Sequence, residues 1–554
     1  MRKPITPLAL VVALCFTCFT SAQEAKPAPK VADDFVSAEP HESVPAPLAA
    51  ALSGITAPGL AASIAFLASP ALEGRGLGTR GLDAAAEYVA ASLALAGVPP
   101  LAGHVENKGI PETYFQEVPI REITGLTGEV TVEVHQGEQV LSRSFASGVD
   151  CLFSEMPPQS LKAPVVFAGY GIREEKLGRD DYRGLDVRGK IVLVLAGLPP
   201  EPEWQKPELV ARYAAEKTRE RYAAKLEAAR AVGAVAVLGV EGVDFATRVV
   251  AKEEPEPRFF LPFEGAGADE ALPLVRVSPV AADAILAAGN LDSTSARTAN
   301  ARQLPGVTTT VGVAGNERLV TSRNVVAFIT GSDKKLSEGA VVIGAHMDHL
   351  GRVGDAVYPG ADDNASGASA LLEIAKVFAA APDRPKRTLV FCFWTGEEEG
   401  KFGSGWWVRH PLWPLKHTIA YLNLDMIGHP WAMDEIRKLV ADTALPDGER
   451  FLARVKPAEF AEPGVADWSP ELAEVLRRAG PAVGLAVHLD RTDGKNGGSD
   501  YRDFARAHVP FVRFFGNFFP AYHEPGDTPD QLDPTQVQRL ARFCLATAWL
   551  LANR

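Results

Sequence analysis

The chain has 554 residues, too many for one ordinary hydrophobic core, and the usual size of a domain makes two the first expectation. Hydrophobic residues make up 47% and charged residues 23%, the balance of a folded globular protein, which excludes a disordered chain. The formal charge of -13 argues against a nucleic-acid partner, because a phosphate backbone recruits basic surfaces.

At the start of the chain, Arg2 and Lys3 precede an apolar run that ends in the small residues Thr20, Ser21 and Ala22. This order predicts a secretory signal cut near Ala22, since the run is shorter than the roughly 20 residues that cross a bilayer. Export to the periplasm or the medium is expected, with no stable membrane span after signal removal. Cys15 and Cys18 lie inside the signal, and neither follows the small residue that a lipoprotein cleavage box requires. The mature chain keeps Cys151, Cys392 and Cys544, an odd number at wide spacing that does not make a disulfide framework; one pair is open and none is required. Cys392, inside LVFCFW, reads as a buried structural thiol.

Residues 23–48, rich in Ala, Pro, Lys and Glu, read as a flexible leader. Residues 49–128 form the next block, and from about 50 to 100 its pattern turns helical: Ala85, Tyr88, Val89, Leu93 and Leu95 form a stripe closed by Gly97 and Pro99, so a helical hairpin is expected. Between 129 and 315 the texture is β-rich, with VTVEVH, APVVFAGYGI, GKIVLVLAG and VAVLGV bounded by Gly and Pro, and a helix over KLEAARAVGA. Its one histidine, His135, and one cysteine, Cys151, do not complete a structural zinc site. From 316 to 554 strands and helices alternate through RNVVAFIT, AVVIGAH, SGASALLEIAKVFAAA, TLVFCFW, TIAYLNLDM, HVPFVRFF and a last helix over PTQVQRLARFCLATAWLLA. That alternation predicts an α/β fold, a mostly parallel mixed sheet flanked by helices, with its site at the carboxyl ends of the strands.

Polar residues fall at those ends. His346 and Asp348 close AVVIGAHMDH, Glu397, Glu398 and Glu399 follow TLVFCFW, and Asp425 closes TIAYLNLDM. The loop PGADDNASG brings Asp362 and Asp363, and YHEPGDT brings His523 ahead of the last helix. Imidazole and carboxylate together suit zinc, and paired metals supply both a nucleophile and a clamp for the developing oxyanion in amide hydrolysis. No GxSxG elbow and no HExxH helix is present. On residues alone the run of three glutamates and the pair Asp362 and Asp363 leave the register open.

His346-Met-Asp348, Gly360-Ala-Asp-Asp363-Asn364-Ala-Ser-Gly367, Gly396-Glu397-Glu398, Asn423-Leu-Asp425-Met-Ile-Gly428 and Tyr522-His523 resemble, in order and spacing, the motifs of the M28 family of co-catalytic zinc aminopeptidases. LEGRGLGTRG and TYFQEVPI resemble the amino-terminal part of these enzymes, and 129–315 resembles an inserted protease-associated (PA) domain. The resemblance implies a zinc-exopeptidase fold of the phosphorylase/hydrolase type and two Zn2+ ions per chain. One ion would be held by His346 and Asp425, the other by Glu398 and His523, with Asp363 bridging. Glu397 would be the general base, taking a proton from the attacking water and handing it to the leaving amine. Asp348 would accept the second imidazole proton of His346 and orient the ring. A non-proline cis peptide is implied at Asp363-Asn364.

Tyr522 matches a tyrosine that in some relatives donates a hydrogen bond to the oxyanion, beside a plain packing role. GGSDYRDF resembles a segment near the pocket, giving Asp500 an orienting role, whereas His349, His429 and Glu524 match no ligand position and read as supporting or surface residues. The expected substrates are peptides or proteins with a free amino terminus. Carboxypeptidase action is the alternative, for which Arg491 and Lys495 would meet a terminal carboxylate. A cyclase with one zinc and a non-catalytic binding protein fit less well, because no ligand is missing.

Overall fold

The computed structural model describes residues 34–38, 43–103, 112–154, 158–215, 218–242, 245, 257–262, 272–443, 445 and 447–554. The expected signal and much of the leader lie outside the described residues. Part of the leader differs from the expectation of flexibility: Phe35 and Val36 pair antiparallel with His488 and Val487. Asp34 accepts from Arg491 at 2.9 Å and from Arg477 at 3.4 Å, so a short strand and two ion pairs fix this stretch to the body.

The helical region is three helices, not a hairpin: α1 (Ala46–Gly54), α2 (Ala57–Leu67) and α3 (Arg80–Leu95). Thr56 and Thr79 cap α2 and α3 by accepting from the backbone N–H groups of Gly59 and Leu82. In α3 the buried face is Leu82, Ala85, Ala86, Val89, Ala90 and Leu93. Leu95, expected in that stripe, is 90% exposed, because two residues beyond Leu93 carry it roughly 200° round the helix.

Two long strands follow, β1 (Phe115–Gln136) and β2 (Arg302–Ile329), paired antiparallel over most of their lengths. Beyond them come β3 (Ala340–His346), α4 (Gly367–Ala380), β4 (Thr388–Trp394), β5 (Thr418–Leu424), β6 (Phe511–Phe514) and α5 (Pro534–Ala552). In the sheet the order is β6, β5, β3, β4, β2; the first four are parallel and β2 runs antiparallel to β4. Every residue of β3 and β4 is buried. Both faces are covered: Val341, Ile343, Phe391 and Phe393 pack with Leu371, Leu372 and Phe543 of α4 and α5. On the other face Val342, Val390, Cys392 and Trp394 pack with Trp407 and Phe504. Uninterrupted apolar runs are what a sheet covered on both faces requires.

Past β2 the same sheet continues through Gln159–Phe167, Ile191–Leu195, Ala236–Val240 and Leu274–Val277, mutually parallel, around a second core that includes Val130, Phe167, Leu193, Leu238, Val275 and Val311. The two cores meet along β1 and β2, which run unbroken past the expected domain edges; the pairing slips beside Ala314, opposite Thr127. Cys151, Cys392 and Cys544 are buried free thiols. No single described helix is long and apolar enough to cross a membrane.

Candidate metal centre

Adjacency in the sheet gathers the site. His346 pairs in register with Trp394, and Gly344 with Asn423, so His346, the turn after β4 and Asp425 leave three neighbouring strands on one edge. The loop after β3 delivers Asp363 and the loop after β6 delivers His523.

The side chains fall into two groups around one carboxylate. His346 Nε2 stands 3.2 Å from Asp425 Oδ1 and 3.4 Å from Asp363 Oδ1. His523 Nε2 stands 3.1 Å from Asp363 Oδ2 and 3.2 Å from Glu398 Oε2. Asp363 thus turns one oxygen to each imidazole. Glu399 is exposed while Glu397 is buried and Glu398 turns to His523, which places the second and not the third glutamate beside the histidine. The Asp363-Asn364 peptide is cis.

Asp348 differs from its expected part. The Nδ1 of His346 lies 3.3 Å from the backbone carbonyl of Asp348 and 3.9 Å from its carboxylate. The carboxylate instead accepts the backbone N–H groups of Glu397 at 3.1 Å and Glu398 at 3.2 Å, so it fixes the turn that carries them. With two backbone donors in reach, the buried carboxylate meets more of its hydrogen-bonding capacity there than at one ring nitrogen.

The neighbouring acids act the same way. Asp527 accepts the backbone N–H groups of Asp362 at 2.8 Å and Asp363 at 3.1 Å, tying the His523 loop to the bridging loop. Asp362 accepts from Gly428 N at 2.7 Å and faces His429 Nδ1 at 2.6 Å, tying that loop to Asp425. Asp500 is fully buried and accepts from the Ser404 hydroxyl at 2.5 Å. Tyr522 stacks on His523 with ring centres 3.9 Å apart. Arg491 pairs with Asp34 at the edge of the sheet, and Lys495 is exposed.

Two contacts were not legible as such. His349 is buried with Nδ1 2.7 Å from Glu398 Oε1, and Lys401 Nζ stands 2.9 Å from Glu397 Oε1. The first signal available was the third-residue spacing from His346; the second was the four-residue spacing from Glu397.

Burial holds the Glu397 carboxyl well above the usual carboxylate range, with His346 and Lys401 pulling it back. Burial acts likewise on Glu398, but hydrogen bonds from His349 and His523 outweigh it and hold that carboxyl well below the range. For His523 burial opposes the charge, yet Asp363 and Glu398 push its pKa up to about 10; for His346 too burial opposes the charge, and Asp425 outweighs it to hold the imidazole well above its usual range. The crowded carboxylates therefore demand positive charge at two points.

A bound divalent cation would meet that demand. Among the described residues, three groups of His, Asp and Glu have ligand atoms close enough for one ion: His346 with Asp363 and Asp425, His349 with Asp363 and Glu398, and His346 with Glu397 and Glu398. Tetrahedral zinc, with bonds of about 2.0–2.2 Å to nitrogen and oxygen, sets neighbouring ligand atoms about 3.3 Å apart. The His346 and His523 separations match that edge, and the donor set fits zinc.

Residues 324–548 match the model of Peptidase family M28. A protein of Trichophyton verrucosum named "Probable leucine aminopeptidase" is 27% identical over 234 residues, 41% of this chain and 57% of that protein. The "Probable glutamate carboxypeptidase AMP1" of Arabidopsis thaliana is 36% identical over 236 residues, 39% of this chain and 28% of that protein. The chain thus covers little more than half of the first of these relatives and less of the second. Among solved structures, the "Aminopeptidase from Aneurinibacillus sp. strain AM-1" aligns over 91% of this chain and 96% of its own, with 21% identity and a TM-score of 0.49.

Proposed function

We propose that this chain is an exported metallo-exopeptidase that removes amino-terminal residues from peptides at a two-zinc site. His346 and Asp425 would hold one ion, Glu398 and His523 the other, and Asp363 both. The observation that carries this reading is the bridging posture of Asp363, Oδ1 3.4 Å from His346 and Oδ2 3.1 Å from His523.

Zinc bound there supplies Lewis-acid polarisation of the scissile carbonyl and makes water acidic enough to attack at neutral pH. Glu397 takes the proton of the attacking water and returns it to the leaving amine, a duty suited to a carboxyl whose burial raises its proton affinity. Asp348 keeps Glu397 and Glu398 in place through their backbone N–H groups. Tyr522, stacked on His523, would donate to the developing oxyanion. Glu397, Glu398, Asp363 and Asp425 gather at the site, and the negative charge that two zinc ions would leave uncompensated favours a cationic α-amine, whose binding orients the carbonyl. The 129–315 block, read as PA-like, governs substrate access and not the chemistry.

A second reading is cleavage at the carboxy terminus, favoured by one observation: the Lys401 ammonium lies 2.9 Å from Glu397 and could meet a terminal carboxylate. Rates on a dipeptide amide, which has a free amine only, and on an N-acetylated dipeptide, which has a free carboxylate only, separate the two, each with and without a chelator. A strong preference for the free amine, abolished by the chelator, is expected. Equal rates on both overturn the aminopeptidase reading, and metal analysis of the purified chain checks for two zinc ions.

A further inference from the structure

We infer that Arg75 is a positioning residue for the metal centre: its buried guanidinium sets the spacing of the loops that carry His346 and Asp363, and zinc affinity depends on it. The inference rests on the two-zinc reading above. Arg75 belongs to LEGRGLG, a segment more than 250 residues away in sequence from the loops it touches.

The guanidinium is fully buried and reaches only backbone carbonyls. Nε donates to Met347 O at 2.8 Å, between His346 and Asp348. One terminal nitrogen donates to Pro359 O at 2.7 Å and to Leu67 O, and the other to Gly360 O at 2.8 Å, just ahead of Asp362 and Asp363. A planar fork with five N–H donors can span such a set, whereas the single ammonium of a lysine cannot. In return, Arg75 O accepts from His349 N at 3.2 Å, so the same residue also holds the loop of the imidazole that bonds Glu398.

The backbone around it is shaped for this approach. Glu73, Gly74 and Arg75 all have positive φ, and a Cβ on Gly74 would lie 2.4 Å from both Gly351 O and Tyr358 O. Those two residues pair at the base of the small hairpin that separates His349 from Gly360. The segment therefore enters as a wedge whose glycine allows contact with the hairpin base while its arginine grips the strand end on one side and the bridging loop on the other. Arginine is not a zinc ligand, and a fully buried one with four of its five donors taken up by carbonyls is not a binder of substrate. A buried cation spent on backbone carbonyls is a poor core-filler, and its place between two ligand loops gives it a different use.

The test compares full-length wild type with Arg75→Lys, measuring zinc affinity by competition with a chromogenic chelator, melting of the metal-free proteins, and hydrolysis of an aminoacyl anilide at limiting and excess zinc. The expected result is a zinc affinity about ten- to a hundred-fold weaker, with activity recovering at excess zinc and KM little changed. Wild-type affinity in the variant overturns the inference, whatever happens to its melting temperature. Should the variant fail to fold, hydrogen exchange of the wild type decides: zinc loading must raise protection across Leu72–Arg80, because the coupling is reciprocal, and equal protection overturns the proposal. A wild type that takes up no zinc overturns the metal reading itself, a distinct outcome.

Discussion

His349 Nδ1 lies 2.7 Å from Oε1 of Glu398, the oxygen that Glu398 does not turn toward His523. That separation is a charge-assisted hydrogen bond, shorter than the edge between two ligands of one zinc. His349 therefore orients Glu398 from behind. In His349→Phe the ion at Glu398 and His523 is expected to bind about ten- to a hundred-fold more weakly, with the ion at His346 and Asp425 retained. Stepwise zinc titration checks this, and wild-type uptake of both ions would remove His349 from the support of the site.

Glu397 shares a metal-compatible group with His346 and Glu398 but lies outside both groups that Asp363 joins, so with Asp363 bridging, Glu397→Gln should leave zinc content near wild type. Turnover should fall by about 10²–10⁴-fold, the usual worth of a positioned base. Metal analysis beside kcat reads both; retained turnover, or loss of both ions, counts against the role.

Lys401 gives a signed pH prediction. An ammonium 2.9 Å from Glu397 Oε1 favours the ionised carboxylate, so Lys401→Met raises the Glu397 pKa. The base form is then reached at higher pH, and the acidic limb of kcat/KM moves upward in pH while the alkaline limb stays. Under the carboxypeptidase reading the same variant instead raises KM for substrates with a free carboxy terminus.

The β1–β2 ribbon offers a clean cut. Thr127 faces Ala314 where the pairing slips, Val118 and Val325 pack in the peptidase core, and Val130 and Val311 pack in the other. Joining Thr127 to Ala314 through Asn-Gly closes a two-residue hairpin of a favoured type. The shortened protein is expected to fold, bind zinc and hydrolyse a small anilide at a reduced rate. A folded, zinc-loaded and inactive product would show that the 129–315 block helps to build the site.

What the sequence by itself determined was local or periodic. The apolar runs of β3 and β4 and the metal-type residues at three strand ends follow from neighbours a few positions apart. Even the order of motifs needs no tertiary information. The use of each polar group beyond the ligands was decided only by the fold. Asp348 lies two residues from His346, but its carboxylate is taken by the turn after β4 because β3 and β4 are adjacent in the sheet. His349 points inward because the Arg75 wedge and Gly360 pack around its loop. Phe35 and Asp34 left no periodic trace, since two residues are too few to make one, yet a strand and an arginine more than 450 positions away hold them. Hydrogen bonds between distant segments depend on where the chain brings them together, and that is set by the packing of both cores as a whole.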